Sequence, residues 1–391
     1  MHLKPSPLNA LFLAQFISAF VDNMILFIAL GIIYRDGYPA YYLPLIQSTF
    51  LFSYIILSPW VGRFADKKAK SHVLMVGNMI KTLGILLLLA QCDPALSYGV
   101  VGIGAVMYSP AKYGILPFLA RGDDALLQAN SSLESYTIVA ILTGSVAGGY
   151  LSDISIPLSL SACIVLYVLS IGLNTLIPKD PGNRSIQYRN SIREFIGDAA
   201  TLFRDKQSHF SLIGTGSFWM ASAILRMIIF AWVPLMLGIS SRMDISMIIA
   251  VTGIGIAIGA FITPYLISVK NYQRTAWYGL GMGMCIIAFL WIKTLPVAII
   301  FLLLIGCMGG IFIVPMNACL QHVGHHTIGA GKTIAIQNFV ENSFMFLGVG
   351  AYTLALKLGV SIHTSVAATG IALLAFVAYL LLLTYRRIET N

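Results

Sequence analysis

The chain has 391 residues, of which 58% are hydrophobic and only 10% charged, and its mean hydropathy is +0.85. Globular domains carry about 25% charged residues, so this composition excludes a soluble enzyme with a greasy core. The net charge of +9 has a simple source in a polytopic membrane protein, whose cytoplasmic loops collect Lys and Arg. Those loops lack the interleaved aromatics of a nucleic-acid binder.

Lys4 followed by an apolar run to about Tyr34 mimics a signal peptide. No small-x-small cleavage site falls at the right place, so the run reads as a retained first helix. A helix needs about 20 apolar residues to cross a bilayer. Twelve stretches qualify: 8–34, 43–64, 72–91, 96–119, 127–151, 156–177, 209–238, 244–268, 275–293, 296–319, 329–356 and 361–384. Pro and Gly punctuate most gaps, as at Gly37-Tyr38-Pro39, Asp93-Pro94, Pro178 and Pro296.

Charge orients these spans. With the N-terminus inside, the cytoplasmic connections hold 17 of the 24 basic residues and the outer ones four: Arg35, Arg242, Lys293 and Lys357. That bias predicts two cytoplasmic termini. The longest polar stretch, 178–208, follows the sixth span. It divides the chain into a first bundle (1–177), a linker (178–208) and a second bundle (209–391). The expected fold is therefore an all-α membrane protein of twelve transmembrane helices in two pseudo-symmetric six-helix bundles. Within the linker, Ile192, Phe195, Ile196, Ala199, Leu202 and Phe203 recur at helical spacing opposite Arg189, Arg193 and Asp198. This reads either as an amphipathic helix on the inner membrane surface or as a plain linker.

The halves echo one another. Gly104-x5-Pro110 in the fourth span matches Gly309-x5-Pro315 in the tenth, which sets Lys112 against Asn317. Spans five and eleven both begin with an amide–acid pattern, Asn130…Glu134 and Gln337…Glu341. Two matches in corresponding spans support a duplicated unit, as in transporters built from repeats.

Six ionisable residues fall inside these apolar spans: Asp22, Lys81, Lys112, Glu134, Arg226 and Glu341. A charge at the bilayer centre costs roughly 2.5–3.5 kcal/mol on insertion scales, so such residues mark a site by default. Three are acidic and three basic. A balanced set suits a substrate carrying both signs of charge, or an ion pathway. Arg226 can fork onto phosphate oxygens, Lys112 can add a point charge, and Asp22 and Glu341 can accept an ammonium. Glu134, Asn23 and Asn342 are further candidates beside them. The competing reading is that the charges only pair with each other. Lys81 is open between a partner role for Asp22 or Glu134 and snorkelling to the inner surface.

The loop after the second span reads Gly62-Arg63-Phe64-Ala65-Asp66-Lys67-Lys68-Ala69-Lys70. It resembles the G-x-x-x-D-R/K-x-x-R/K signature of the major facilitator superfamily. The resemblance implies a conformational latch built on Gly62, Asp66, Lys67 and Lys70. Span five carries Gly144-Ser145-Val146-Ala147-Gly148-Gly149, whose small residues at four-residue spacing predict close helix contact.

Four local sequences go further: the runs 14–23, 108–116 and 309–318, and Gly329-Ala330-Gly331 followed by Ala335-Ile336-Gln337-Asn338 and Glu341-Asn342-Ser343. Together they closely resemble the bacterial lysophospholipid transporter family of that superfamily. The resemblance implies a flippase, not an enzyme. Its substrate would be lysophosphatidylethanolamine and related lysolipids, moved from the outer to the inner leaflet of the inner membrane. A separate acyltransferase would act downstream, since no H-x4-D signature follows any of the seven histidines. The rival on the same fold is a proton-coupled exporter of drugs or metabolites.

No cofactor, metal or disulfide framework is implied. Of the five cysteines, only Cys92 lies outside the apolar interiors, and no CxxC occurs. His322, His325 and His326 cluster without acidic or thiol neighbours. Gly329-Ala330-Gly331-Lys332-Thr333 imitates a phosphate loop, but the required first glycine is His326 and no strand precedes it.

Overall fold

The computed structural model describes residues 6–120, 123–267 and 269–388. Lys4 and Arg121 lie outside the described residues, and so do the side chains of Asn130, Glu134 and Lys270. The chain is helical. Ten helical segments among the described residues are long and apolar enough to cross a membrane. They belong to α1 (Pro7–Asp36), α2 (Tyr42–Lys67), α3 (Lys70–Leu89), α6 (Asp123–Ile154), α7 (Ile156–Asn174), α9 (Lys206–Leu237), α10 (Arg242–Leu266), α12 (Leu295–Thr327), α13 (Ala330–Lys357) and α14 (Ile362–Ile388).

Two of the twelve expected spans fall short. α4 (Pro94–Gly114) is long enough, but two prolines, several hydroxyls and Lys112 dilute its apolar residues. The run to 119 breaks at Ile115, where a four-residue helix, α5 (Leu116–Leu119), begins with Pro117 in its first turn. Proline has no N–H to continue the preceding ladder. α11 (Thr275–Ala288) has only 14 residues and then tightens into a 3-10 turn, Phe289–Trp291.

The helices form two compact units. The first holds residues up to Tyr38 and Thr49–Phe195; the second holds Pro39–Ser48 and everything from Ile196 onward. In the first, α1 packs on α6 and α7, and α3 packs on α4 and α7. In the second, α10 packs on α12, α9 on α12, α13 and α14, and α11 on α12 and α14. The linker helix α8 (Ser191–Arg204) is amphipathic. Leu202 is buried, while Ile192 and Ile196 stay exposed.

The expected small-residue contact is made between α1 and α6. A Cβ on Gly144 would come within 2.3 Å of the Phe20 carbonyl oxygen, and one on Gly148 within 2.6 Å of that of Met24. Backbone cannot yield as a flexible side chain can, so glycine is required at both positions. This fixes α1, and with it Asp22, against the rest of its unit.

A second fixed point joins the linker to the loop after α2. The residue before α3, Ala69, has no side chain to cap that helix. Asp180 supplies the cap from the linker: one carboxylate oxygen accepts from the Lys70 backbone N–H, and the other takes Lys70 Nζ at 3.1 Å. An anion at a helix N-terminus is favoured by the dipole. Nearby, the Asn183 N–H donates to the Asp66 carbonyl at 2.8 Å. Gly182 makes this approach possible with φ +58°, and a Cβ there would sit 2.8 Å from the Lys67 carbonyl. Arg63 donates to the Gln187 carbonyl at 2.6 Å and pairs with Glu194 in the first turn of α8.

Two stability changes follow. Gly144→Val should lower the unfolding midpoint of detergent-solubilised protein by the equivalent of about 1–3 kcal/mol, the usual cost of overpacking. Gly172→Ala, where an added Cβ meets nothing within 4 Å, should leave it unchanged. Asp180→Ala removes a cap and a charged partner at once and should cost about 1–3 kcal/mol in the same measurement. Asp66→Ala should cost less, since Asp66 is 64% exposed.

Candidate substrate-binding site

Two of the intramembrane charges of the first unit, Asp22 and Lys81, meet in one buried polar core. Lys81, from the middle of α3, is 1% exposed, and its Nζ lies 2.7 Å from Asp22 Oδ2 on α1. Asp22 itself is 23% exposed. Tyr167 on α7 donates its hydroxyl to Asp22 Oδ1. Lys81 Nζ also donates to Ser18 Oγ at 3.0 Å. Ser18 donates to Asn78 Oδ1, and Asn78 Nδ2 donates to Ser170 Oγ, both at 2.9 Å. Ser170 closes the chain on the Ala14 carbonyl at 2.8 Å.

The ammonium of Lys81 is also flanked by rings. It lies 4.7 Å from the centroid of Tyr108 and 5.6 Å from that of Tyr167. Two faces, a carboxylate and a hydroxyl together replace the water a lysine loses on burial. The Tyr108 hydroxyl stands near Ser18 and Asn174. Neither it nor the Asn174 side chain makes a hydrogen bond of full geometry, although both are buried.

The structure thus answers the open question about Lys81: it partners Asp22. Lys112 is not in this core. It sits in the last turn of α4, 4.7 Å from its neighbour Tyr113's ring. The adjacent Ala111 belongs to the buried cluster of Ala10, Leu11 and Phe12, ten or more residues along α1 from Asp22. That is about 15 Å at 1.5 Å per residue. Asn23 turns its amide back onto the Ala19 carbonyl at 2.8 Å. Glu134 lies on α6, and its side chain is outside the described ones.

The second unit holds a different polar core. Gln337, Glu341 and Asn342 of α13 are all buried. Gln337 Nε2 donates to Glu341 Oε1 and to Asn317 Oδ1 of α12, each at 2.8 Å. Thr215 of α9 faces the same carboxylate. Asn342 bonds the Asn338 carbonyl of its own helix at 2.7 Å. Arg226 is not placed at Glu341. It follows Thr215 by eleven residues on α9, about 16 Å of helix. The pairing of Arg226 and Lys112 with one phosphate, and of Asp22 and Glu341 with one ammonium, is therefore not a single cluster within either unit.

The latch residues stand as follows. Lys70 is held by Asp180 and lies 3.7 Å from Asp66. Lys67 lies over the Tyr188 ring at 4.7 Å. Gly62 makes no close approach: an added Cβ would meet nothing within 4 Å. The buried carboxylate at this corner is Asp180, at 7% exposure, not Asp66.

Sequence reasoning missed Ser18, Asn78, Tyr108, Tyr167, Ser170, Asn174 and Asp180. Most of the first six carry a signal that charge alone does not. Ser18 and Asp22 are spaced i, i+4, Asn78 and Lys81 i, i+3, and Tyr167, Ser170 and Asn174 i, i+3, i+7. Each set stripes one face of an apolar helix.

Comparison with known proteins agrees with this architecture. Residues 11–349 match the family model of the Major Facilitator Superfamily. The chain is 42% identical over 358 residues to a protein named lysophospholipid transporter LplT from Pectobacterium carotovorum subsp. carotovorum (strain PC1), covering 91% of this chain and 88% of the relative. It is 40% identical over 356 residues to the like-named protein of Yersinia enterocolitica serotype O:8, covering 90% and 88%. Among solved structures, a point mutant of the nucleoside transporter NupG superposes with a TM-score of 0.71 at 13% identity, covering 97% of this chain and 99% of that one; this likeness speaks for the fold alone. The chain belongs to the Major Facilitator Superfamily and, within it, to the lysophospholipid transporter family of these bacterial relatives.

Proposed function

We propose that the protein is a lysophospholipid flippase of the bacterial inner membrane. It moves lysophosphatidylethanolamine and related lysolipids from the outer to the inner leaflet by alternating access, for reacylation by a separate enzyme. Twelve spans carry it, with α4 and α11 as the two most polar or shortest, and both termini are cytoplasmic. The observation that carries the reading is the pair of buried polar cores set in otherwise apolar helices. Bacterial relatives that bear the transporter name, at 42% and 40% identity over nine-tenths of the chain, support it.

The head group of such a substrate offers one anion and one ammonium. In the first unit Lys112 is the phosphate partner and Asp22, with Asn23 and Glu134 beside it, the ammonium partner; in the second, Arg226 and Glu341, with Asn342, take the same two roles. The corner of Gly62, Asp66, Lys67 and Lys70 latches one conformation, and α8 rests on the inner membrane surface with Ile192 and Ile196 in the headgroup layer. Alternation needs such contacts to be bistable, holding in one state and releasing in the other.

The experiment is inward movement of labelled lysophosphatidylethanolamine in cells with and without the protein. Movement that survives collapse of the proton gradient is expected; no protein-dependent movement overturns the flippase. Loss on collapse of the gradient favours the proton-coupled rival, for which Glu341, buried with an amide donor, is the observation in hand. Arg226→Ala and Asp22→Ala should each cut transport ~tenfold or more, since hydrogen bonds to charged groups contribute roughly 1.5–3 kcal/mol. Arg226→Ala should still reach the membrane folded; Asp22→Ala leaves Lys81 buried without its carboxylate, so Asp22→Asn is measured beside it. Near-normal rates at both positions refute the head-group assignment.

A further inference from the structure

We propose that Lys81 is a tethered occupant of an ammonium cage, and that it sets head-group selectivity by competing in cis with the substrate's own ammonium. This rests on the reading above that Asp22 receives a lipid ammonium, and it adds a residue and a step to it.

The argument begins with what surrounds Nζ. A carboxylate stands at 2.7 Å, a hydroxyl at 3.0 Å, and two tyrosine rings at 4.7 and 5.6 Å. Carboxylate and aromatic faces together are the chemistry that recognises quaternary and primary ammonium groups. The cage is assembled from three helices, α1, α4 and α7, while its occupant comes from a fourth, α3. A primary ammonium on a flexible four-carbon stem is the closest side-chain analogue of an ethanolamine head. Both carboxylate oxygens are held, Oδ2 by Lys81 and Oδ1 by Tyr167, and Asp22 keeps 23% exposure against 1% for Lys81. A lipid head therefore meets the carboxylate first and binds it by displacing the ammonium already there.

Room for the stem is built in. A Cβ on Gly104 would lie 2.6 Å from Lys81 Cγ, so the glycine of α4 clears the channel the lysine occupies. A displaced lysine also has somewhere to go. The Tyr108 hydroxyl and the Asn174 side chain are buried with hydrogen-bonding capacity to spare, and the Tyr108 ring already lies beside Nζ. Exchange of one ammonium for another keeps the charge of the carboxylate's contacts constant. An anionic head without an ammonium cannot make this exchange and leaves Lys81 in its seat.

The test compares two lysolipids on full-length protein reconstituted in vesicles: lysophosphatidylethanolamine and lysophosphatidylglycerol. Lys81→Met removes the competitor and should raise the ethanolamine-to-glycerol ratio of transport kcat/KM ~tenfold or more, one charged contact's worth. Asp22→Asn/Lys81→Met, which removes both charges, should abolish the gain. A Lys81→Met protein that transports both lipids with an unchanged ratio overturns the proposal and leaves the flippase reading intact. Wild-type protein that moves neither lipid overturns the flippase reading itself. Should Lys81→Met fail to fold, Lys81→Gln, which keeps a stem and an N–H donor for Asp22, is measured with ethylammonium chloride against sodium chloride at equal ionic strength. A higher unfolding midpoint in ethylammonium shows an ammonium-selective cage; equal midpoints overturn it.

Discussion

A charge that enters an apolar helix bundle must find its counter-charge inside the protein, and the contact between Lys81 and Asp22 is how the first unit meets that demand. Desolvating either ion costs several kcal/mol, and removing one partner of such a pair typically costs about 3–5 kcal/mol. The rest of the unit is arranged around this need. Gly104 leaves space for the lysine stem, and Gly144 and Gly148 bring α1 close enough to α6 to fix the aspartate's helix. Ser18, Asn78 and Ser170 carry the hydrogen bonding on from Lys81 across α1, α3 and α7. One pair thereby ties three helices that are far apart in sequence.

The second unit solves the same problem by other means. Glu341 is met by the amide of Gln337, itself bonded to Asn317. Charge is balanced by charge in one half and by oriented dipoles in the other. The two helices still share one feature: α4 and α12 each carry an internal proline, Pro110 and Pro315, two residues before Lys112 and Asn317.

Most of the helices were legible because lipid imposes one rule, a long apolar run, and the sequence obeys it strongly. The two exceptions have local causes. α11 is shorter than its apolar run because the chain tightens into a 3-10 turn at Phe289, which hydropathy cannot register. α4 ends early because Pro117 interrupts it. The charged site residues were legible one by one, but their partners were not. Lys81 and Asp22 are 59 positions apart, and nothing local says which of three acids a buried lysine will face. Asp180 was hidden for a different reason. It lies in the stretch of the linker before α8, which has no periodicity, and its role depends on Ala69 failing to cap α3, a fact that emerges only once α3 has a beginning.

This last point bears on how the signature loop works. Its aspartate is exposed, while a carboxylate from the linker is buried against its lysine and its helix end. The loop between α2 and α3 is thus bound to the segment that leads out of the first bundle. Arg63 extends that binding to Glu194 in the first turn of α8. Three contacts, one at a helix N-terminus, hold linker and loop as one piece.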